Sequence, residues 1–387
     1  MDGTPIPLVA QHESWISLDP VQGCPASCVY CYLEPKGLTR KVPEASSENL
    51  DAIYRKLVES QYFEKSFVEE GSVGKNIPIA IGNYTDMCLT HKNRHLLLSL
   101  LRKHREYMPT VPVCIVTKAI LDHAFLEEIN QIGITIIFFI SLSFLPTRLE
   151  KGTPPIEARL ANFRRIASFP DLKAIHFWRP VTSISIPDQE TALRRINELK
   201  DAGARASVIT GLKFGHNLAK IFRLNEQHAF YAFFKKHIMQ DHLKNEIFEQ
   251  HVQEAILSAA KEQAYPVYLH TSCAVSYVLS QPDYNATFRK PHLEARCLTS
   301  TCPSAQRARC ASFQRKFALP SEELLQQVAR HLGIHRSMVA YSERKDTILI
   351  DRILDQEEQT YLTQATSFPV RGKNLLPTLE WVGSINR

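Results

Sequence analysis

Short apolar segments alternate with segments of helical periodicity through the first half of the chain, and this alternation constrains the fold more than any other feature. Apolar runs at 77–82, 111–117 and 134–143 are each followed by a segment with apolar side chains at helical spacing. Further runs at 172–178 and 206–212 continue the pattern. The predicted helices cover 47–60, 93–105, 121–131, 155–167 and 189–202. Strands separated by such helices pair in parallel through right-handed crossovers, so the sequence predicts an α/β protein with a parallel sheet.

The number of these units predicts the architecture. About six strand-helix units between Trp15 and Gly215 are typical of a partial (β/α)6 barrel of the TIM type. In such a barrel the loops that follow the strands form the active face. We predict three regions: the partial barrel at 1–245, a cysteine-rich region at 246–318 and a small α+β extension at 319–387.

The last region is expected to cap the open barrel. Ser321 is positioned to cap a helix, and the segment 342–350 is typical of a turn and a strand. A helix-turn-helix is the alternative, because Ala329, Gly333 and Val339 stand at the spacing that this motif uses. A cap would exclude water from reactive chemistry in the barrel.

The composition is that of an ordinary globular protein, with 387 residues, 44% hydrophobic and 22% charged. The first residues lack the pattern of a signal peptide, and the most apolar run, 134–145, is too short to span a bilayer. Nine cysteines without a secretion signal favour metal ligation in a reducing compartment. We therefore expect a cytoplasmic protein with no membrane association, and the net charge of +6 favours an anionic partner.

Three cysteines lie close together in the loop after the first predicted strand. Cys24, Cys28 and Cys31 have C-x3-C-x2-C spacing, with Tyr30 immediately before the third. Three thiolates can bind three irons of a [4Fe-4S] cluster and leave the fourth iron open to an exogenous ligand. An open metal position indicates catalysis rather than a structural role. The alternatives are weaker, because a disulfide would leave one thiol unpaired and zinc knuckles usually pair two C-x2-C units.

The cysteine motif resembles the signature of the radical S-adenosylmethionine (SAM) superfamily. Further segments resemble its spore photoproduct lyase branch, in the same order along the first half of the chain: CVYCYL at 28–33, YTD at 84–86, IVTK at 115–118, and EKGT at 150–153 followed by ARL at 158–160. The resemblance implies that a [4Fe-4S] cluster reductively cleaves SAM to a 5′-deoxyadenosyl radical, which abstracts hydrogen from a substrate. It also implies an electron donor such as flavodoxin or ferredoxin.

The resemblance implies a cofactor role for residues near the cysteine motif and after later strands: Tyr30, Thr85, Asp86, Lys118, Ser141 and Arg159. Tyr30 would lie beside the adenine of SAM. Thr85 and Lys118 would hold the amino and carboxylate ends of SAM, and a lysine ammonium suits a carboxylate. Asp86 would either contact SAM or cap the following helix. Arg159 would pair with a carboxylate, with a solvated position on an amphipathic helix as the alternative.

One position departs from the spore photoproduct lyases. This chain has Asn83 where those enzymes have a hydrogen-donating cysteine, two positions before the residue matched by Thr85. An amide cannot donate a hydrogen atom as a thiol does, so thymine-dimer repair by that mechanism is not expected. Cys88 is a candidate substitute donor, and burial as a small apolar residue is its alternative. Tyr30 and Tyr32 match the tyrosines of the radical relay in that branch, or pack as core aromatics.

A second set of four cysteines follows: Cys273, Cys297, Cys302 and Cys310. Four thiols can hold one cubane cluster or one tetrahedral zinc. We favour an auxiliary [4Fe-4S] cluster, because the first cluster already requires an iron-sulfur assembly route; zinc and no metal are the alternatives. His270 is a further candidate ligand. The surrounding basic side chains would stabilise an anionic cluster, contact a phosphate backbone or remain solvated: Arg296, Arg307, Arg309, Arg315 and Lys316.

These features predict a radical SAM enzyme with one of two substrate classes. The lyase resemblance and the positive charge favour a nucleotide or nucleic acid, whereas the auxiliary cluster favours a peptide or another metabolite. The alternative is a catalytically silent iron-sulfur redox sensor or nucleic-acid-binding regulator. Thr85 and Lys118 argue against this alternative, because a sensor would not need both positions that anchor SAM.

Overall fold

The structure is a computed structural model, and it describes residues 7–60, 77–213, 246–285, 301–311 and 319–373. The strands are β1 (Val9–Gln11), β2 (Ile16–Leu18), β3 (Val21–Gln22), β4 (Ser27–Cys28), β5 (Glu44–Ala45), β6 (Ile79–Ile81), β7 (Val113–Thr117), β8 (Ile136–Ser141), β9 (Glu150–Lys151), β10 (Leu172–Trp178), β11 (Ser207–Ile209), β12 (Leu212–Lys213), β13 (Glu246–Ile247), β14 (Val267–Tyr268), β15 (Val339–Ser342), β16 (Thr347–Ile350) and β17 (Val370–Gly372). The helices are α1 (Leu50–Val58), α2 (His91–Tyr107), α3 (His123–Asn130), α4 (Ile156–Ala167), α5 (Gln189–Asp201), α6 (Gln250–Glu262), α7 (Thr271–Val278), α8 (Ser304–Ala311), α9 (Glu322–His331) and α10 (Gln356–Thr366). None of the helices in these ranges is long and apolar enough to cross a membrane.

An eight-stranded sheet forms the centre of the molecule, in the order β1-β2-β6-β7-β8-β10-β11-β14. Neighbours from β2 to β14 are parallel, and β1 pairs antiparallel with β2. No pairing joins β1 to β14 within the described residues, so the sheet is open there. The mixed α/β fold with a largely parallel sheet confirms the predicted class, and an open sheet is what a partial barrel requires.

The parallel sheet extends one strand beyond the predicted barrel units. The last unit was expected to end near Gly215, but β14 pairs with β11 at Val267 and Tyr268. Helix α6 packs against α5 before the chain enters β14. The sheet therefore continues past residue 245, because β14 pairs with β11 although it lies more than fifty residues further along the chain.

Burial explains why these segments form parallel strands. All six residues of β8 are buried, and β6 is buried throughout as well. Strands covered by helices on both faces lack polar alternation, and this is the pattern of a parallel sheet. Polar side chains begin the crossover helices, since Thr90, Asp122 and Asp188 each accept a backbone N–H in the first turn of α2, α3 and α5.

Residues 319–373 form a small α+β unit with its own hydrophobic core. Strands β15 and β16 form an antiparallel hairpin, and β17 pairs in parallel with β16. The hairpin occupies the segment where a helix-turn-helix would place its second helix, so that alternative is wrong. Gln364 of α10 accepts a hydrogen bond from Gln11 (2.5 Å) and donates to the Glu13 carbonyl (3.0 Å). The unit thus packs on the β1 edge, and its predicted boundaries and capping role stay predictions.

Candidate active site

The loops at the carboxyl ends of the parallel strands surround one cavity of about 990 Å³, counting space open to solvent. Ten of the predicted site residues line it: Cys24, Cys28, Tyr30, Cys31, Tyr32, Asn83, Thr85, Asp86, Lys118 and Ser141. Cys88 and Arg159 are not among the lining residues. Strand order therefore brings together side chains that lie more than a hundred positions apart in sequence.

Backbone hydrogen bonds fix the cysteine loop on both sides. The Cys24 N–H donates to the Leu38 carbonyl (2.7 Å), and the Lys41 N–H donates to the Cys24 carbonyl (3.1 Å). Cys28 lies in β4, which pairs antiparallel with β9 so that Cys28 stands opposite Glu150. The Cys31 N–H then donates to the Cys28 carbonyl (3.1 Å), which closes a tight turn. The three cysteines line the same cavity.

Gly152 explains why β9 approaches the cysteine loop so closely. Its φ of +81° is a conformation that other residues rarely adopt, and a Cβ there would lie 3.3 Å from the Ala26 Cα. The segment EKGT at 150–153, which carries part of the family resemblance, is thus the strand that supports the cysteine loop.

The donor set fits a three-thiolate cluster. All three cysteines are free thiols. Burial raises the pKa of Cys24 and Cys28 to about 12, and Asp86 and Glu150 add to the effect at Cys24 and Cys28 respectively. Thiolates would therefore form here on binding metal rather than in its absence. Within the described ranges no three Cys, His, Asp or Glu side chains converge closely enough for a single metal ion. A cubane cluster does not require such convergence, because each thiolate binds a different iron.

Glu150 is the centre of a buried ionic network that sequence reasoning missed. Its side chain is fully buried, and one oxygen, Oε1, accepts from Lys118 Nζ (2.9 Å) and Ser143 Oγ (2.7 Å). The other oxygen, Oε2, accepts from Arg159 Nη2 at 2.6 Å. The Tyr30 hydroxyl also donates to Glu150. Glu150 lay inside a segment that marked the family resemblance, but nothing in the pattern predicted its burial.

This network changes the expected roles of Lys118 and Arg159. The Lys118 ammonium lies within hydrogen-bond distance of Tyr30 Oη (3.0 Å), Ser141 Oγ (3.0 Å) and Glu150 Oε1 (2.9 Å). Three contacts match its three N–H donors. Arg159 is 2% exposed, so the alternative of a solvated helix position is wrong. Arg159 pairs with a carboxylate of the protein, from behind the cavity wall rather than inside it.

The two cations determine the charge state of Glu150. Burial alone would raise the pKa of its carboxyl, but Lys118 and Arg159 outweigh burial and lower the pKa to about 2. Glu150 is therefore ionised at neutral pH, and the network carries one negative and two positive charges.

Asp86 positions loops instead of capping a helix. Its carboxylate accepts from Thr117 Oγ1 (2.8 Å) and from the backbone N–H groups of Lys118 (2.7 Å) and Cys88 (3.0 Å). The side chain that caps α2 is Thr90. The predicted capping role of Asp86 is thus wrong, because three donors from the β6 and β7 loops already hold its carboxylate. Its predicted contact with SAM stays a prediction.

The loop after β6 also places Thr85 and Asn83. The Thr85 hydroxyl donates to the Gly23 carbonyl (2.6 Å), which joins this loop to the cysteine loop. The Asn83 N–H donates to Asp19 (2.5 Å), and the Tyr32 hydroxyl donates to the Asn83 carbonyl. Cys88 is fully buried in the main core, so its alternative as a small apolar residue fits, and a role as hydrogen donor in the cavity does not.

Of the second cysteine set, Cys302 lies against the β14 edge of the main sheet. Cys302 is within 3.8 Å of the Tyr268 hydroxyl on β14. The Cys273 thiol lies 3.5 Å from Asp283 Oδ2, and the Asp283 N–H donates to Cys310 Sγ at 3.3 Å. Cys297, Arg296, Arg315 and Lys316 lie outside the described residues.

His270, the further candidate ligand, has its Nδ1 3.4 Å from Glu13 Oε1. One neighbour of its ring is thus an acidic side chain of the segment after β1, and its role as a ligand stays a prediction.

No protein family model matches this chain, and no curated protein matches it. A cysteine-to-serine variant of spore photoproduct lyase is similar at a TM-score of 0.47 and 14% identity, over 65% of this chain and 75% of that chain. Another variant of that lyase, with bound AdoMet and dinucleoside spore photoproduct, gives the same values. Streptococcus suis SuiB bound to S-adenosylmethionine has a TM-score of 0.40 and 11% identity, over 65% of this chain and 48% of that chain. Spore photoproduct lyase, whose branch the sequence segments resemble, is thus among the structural neighbours.

Proposed function

We propose that this protein is a radical SAM enzyme whose cluster is bound by Cys24, Cys28 and Cys31. The observation that carries the proposal is that three free cysteines line one cavity at the carboxyl edge of a parallel sheet. Three thiolates satisfy three irons of a cubane and leave one position for a co-substrate. A purely structural site would be fully ligated by the protein.

When bound, the cluster and SAM together supply a 5′-deoxyadenosyl radical that abstracts hydrogen from a substrate. The chain's own residues hold and shield this chemistry. Asp86 and Thr85 fix the loops around the cysteines, and Trp15, Phe177 and Leu212 give the cavity an apolar wall. A largely apolar wall limits water near a reactive species.

Lys118 keeps its proposed role as the partner of the SAM carboxylate under one condition. Its ion pair with buried Glu150 must persist, because breaking it would leave an uncompensated charge. The SAM carboxylate would then replace one of the two neutral partners, Tyr30 or Ser141. Glu150 and Arg159 would act as positioning residues that hold the ammonium at the cavity wall.

The substrate and the partners are the finer part of the proposal. A nucleotide or nucleic acid is favoured over a peptide or metabolite by the net charge of +6. An electron donor such as flavodoxin or ferredoxin would reduce the cluster in the cytoplasm. Tyr30 and Tyr32 line the cavity and are the proposed relay residues. Asn83 is not proposed as a hydrogen donor, because an amide does not donate a hydrogen atom to a radical as a thiol does.

The proposal is tested by 5′-deoxyadenosine formation in anaerobically reconstituted protein supplied with SAM and dithionite. We expect slow formation that requires the reductant, measured by liquid chromatography with mass detection. Protein without added iron and sulfide is the control. A fully reconstituted protein that neither binds nor cleaves SAM would contradict the proposal, and SAM binding without cleavage would favour a silent sensor.

We also propose that Cys273, Cys302 and Cys310, with Cys297, bind an auxiliary [4Fe-4S] cluster. The proximity of Cys273 and Cys310 to the same aspartate supports the grouping. We expect about eight irons per chain after reconstitution, falling to about four when Cys273 and Cys310 are both changed to serine. Iron and acid-labile sulfide analysis measures this, and about four irons with one zinc per wild-type chain would show that the second site binds zinc.

A further inference from the structure

Arg179 is a cation in the cavity wall that the network around Glu150 does not use. It follows β10 directly and lies over the rings of Tyr32 (5.0 Å from guanidinium carbon to ring centroid) and Phe177 (5.7 Å). Its Nη2 atom is buried without a hydrogen-bond partner, and among the described residues no carboxylate pairs with it. A buried, unsatisfied guanidinium nitrogen is costly, so the site suits an acceptor that the described part of the chain does not supply.

Asn83 supplies a second unused donor beside the same tyrosine. Its backbone is held on both sides, by the Tyr32 hydroxyl at the carbonyl and by Asp19 at the N–H. Its side-chain Nδ2 is nevertheless buried without a hydrogen-bond partner. Tyr32 contacts both residues, so Asn83 and Arg179 lie beside the same side chain, and all three residues line the cavity.

Two further aromatic side chains line the cavity. Trp15 and Phe177 both line it, and each packs edge-on against Phe139 at 5.6 Å between ring centroids. Rings fixed in this way provide a rigid surface for a planar or apolar group. Lys118, in contrast, has its three donors occupied by Tyr30, Ser141 and Glu150.

We propose that Arg179 and Asn83 form the substrate-recognition site of this cavity, and that the substrate carries a phosphate or carboxylate next to a planar group. A guanidinium binds either oxyanion through its N–H edge, with Asn83 donating to a further oxygen of the same ligand. The planar group packs on Trp15 and Phe177. This inference rests on the proposed function, since it takes the cavity as the place where SAM and substrate meet.

Two other roles for Arg179 are distinguishable from substrate recognition. Burial raises the pKa of the Cys31 thiol, and the Arg179 guanidinium lies close enough to oppose that rise, so it is also placed to neutralise a bound anionic cluster. It is equally a candidate partner for the SAM carboxylate. If Arg179 has either of these roles, Arg179→Gln loses iron or SAM affinity. Substrate recognition predicts neither loss.

The test measures binding of small probes to reconstituted protein saturated with SAM, by anaerobic isothermal titration calorimetry. Phenyl phosphate and benzoate are the anionic probes, and benzyl alcohol is the neutral one. We expect at least one anionic probe to bind about tenfold or more tightly than benzyl alcohol, and Arg179→Gln to remove this preference. Asn83→Leu is expected to weaken binding of the preferred anionic probe by about threefold to tenfold. Arg344→Gln, an exposed arginine of the β15–β16 hairpin, is the control and leaves binding unchanged.

The two anionic probes distinguish the sources of the oxyanion. Tighter binding of phenyl phosphate would indicate a nucleotide-like substrate, and tighter binding of benzoate would indicate a carboxylic acid. The proposal is overturned if wild type does not prefer anions, if the preference survives Arg179→Gln, or if that variant loses iron or SAM affinity. The proposed function fails separately, by the absence of 5′-deoxyadenosine from wild type without any probe. If such a protein still preferred anionic probes, the anion-binding site would be supported while the proposed enzyme activity would not.

Discussion

Changing Cys24, Cys28 and Cys31 together to alanine is expected to abolish 5′-deoxyadenosine formation and to remove about four irons per chain. These three are the only cysteines among the described residues that line the cavity, so no described thiol stands ready to replace them. The loop itself should keep its fold, since backbone hydrogen bonds to Leu38 and Lys41 and the pairing of β4 with β9 hold it. Iron analysis and product detection on the same preparation measure both effects.

Two buried cysteines provide matched controls for this experiment. Cys114 lies in β7 and Cys88 in the loop after β6, and both are fully buried away from the cavity. Cys114→Ala and Cys88→Ala should keep the iron content and the product. Retained activity in the triple variant would contradict the assignment, and lost activity in Cys88→Ala with intact iron would restore Cys88 as a donor.

Glu150→Ala is expected to destabilise the fold by about 3–5 kcal/mol, because it leaves Lys118 and Arg159 in the protein interior without their carboxylate. Urea unfolding of identically prepared protein at pH 7 measures the change. The control is Glu106→Ala, which removes an exposed ion pair with Lys103 and should cost at most about 1 kcal/mol. Equal effects in the two variants would show that the buried network does not stabilise the fold.

The pH dependence of this stabilisation has a definite sign. The pKa of Glu150 is lowered from 4.5 to about 2, so the folded state favours the ionised form. The stabilisation is present above pH 4.5 and amounts to roughly 3 kcal/mol, and it is lost as pH falls from about 4.5 toward 2. The stability difference between wild type and Glu150→Gln should therefore be constant between pH 5 and 8 and shrink in acid. Thermal unfolding of iron-free protein avoids the acid lability of a cluster.

Most of the fold could be predicted from the sequence because its strands and helices have strong local patterns. The buried run at 134–143 contains β8 (Ile136–Ser141), and the predicted strand at 172–178 coincides with β10. That β14 joins the main sheet was not predicted, because two residues carry almost no periodicity and nothing local specifies the strand with which they pair. The cysteine spacing likewise identified three residues whose proximity needs only a short loop.

The charged residues were harder to place. Arg159 stands on a helix whose sequence reads as amphipathic, and only its position behind β8 and β9 makes it a buried partner of Glu150. Arg179 directly follows a predicted strand, at the edge of the sheet where active sites of such folds lie. That position was the one indication in the sequence that Arg179 belongs to the site. Whether a cation is solvated, paired or left unsatisfied depends on the neighbours that folding brings to it.

The sequence by itself determined the parallel α/β architecture, the cysteine loop and the edge of the sheet where the site lies, because these follow from local periodicity and from the order of strands. Only the tertiary structure decided that Lys118 is held by Glu150, that Asp86 joins two loops, and that Arg179 keeps an unused donor in the cavity. Hydrogen bonding and desolvation depend on distances of a few ångströms between residues remote in sequence, and no spacing along the chain encodes those distances.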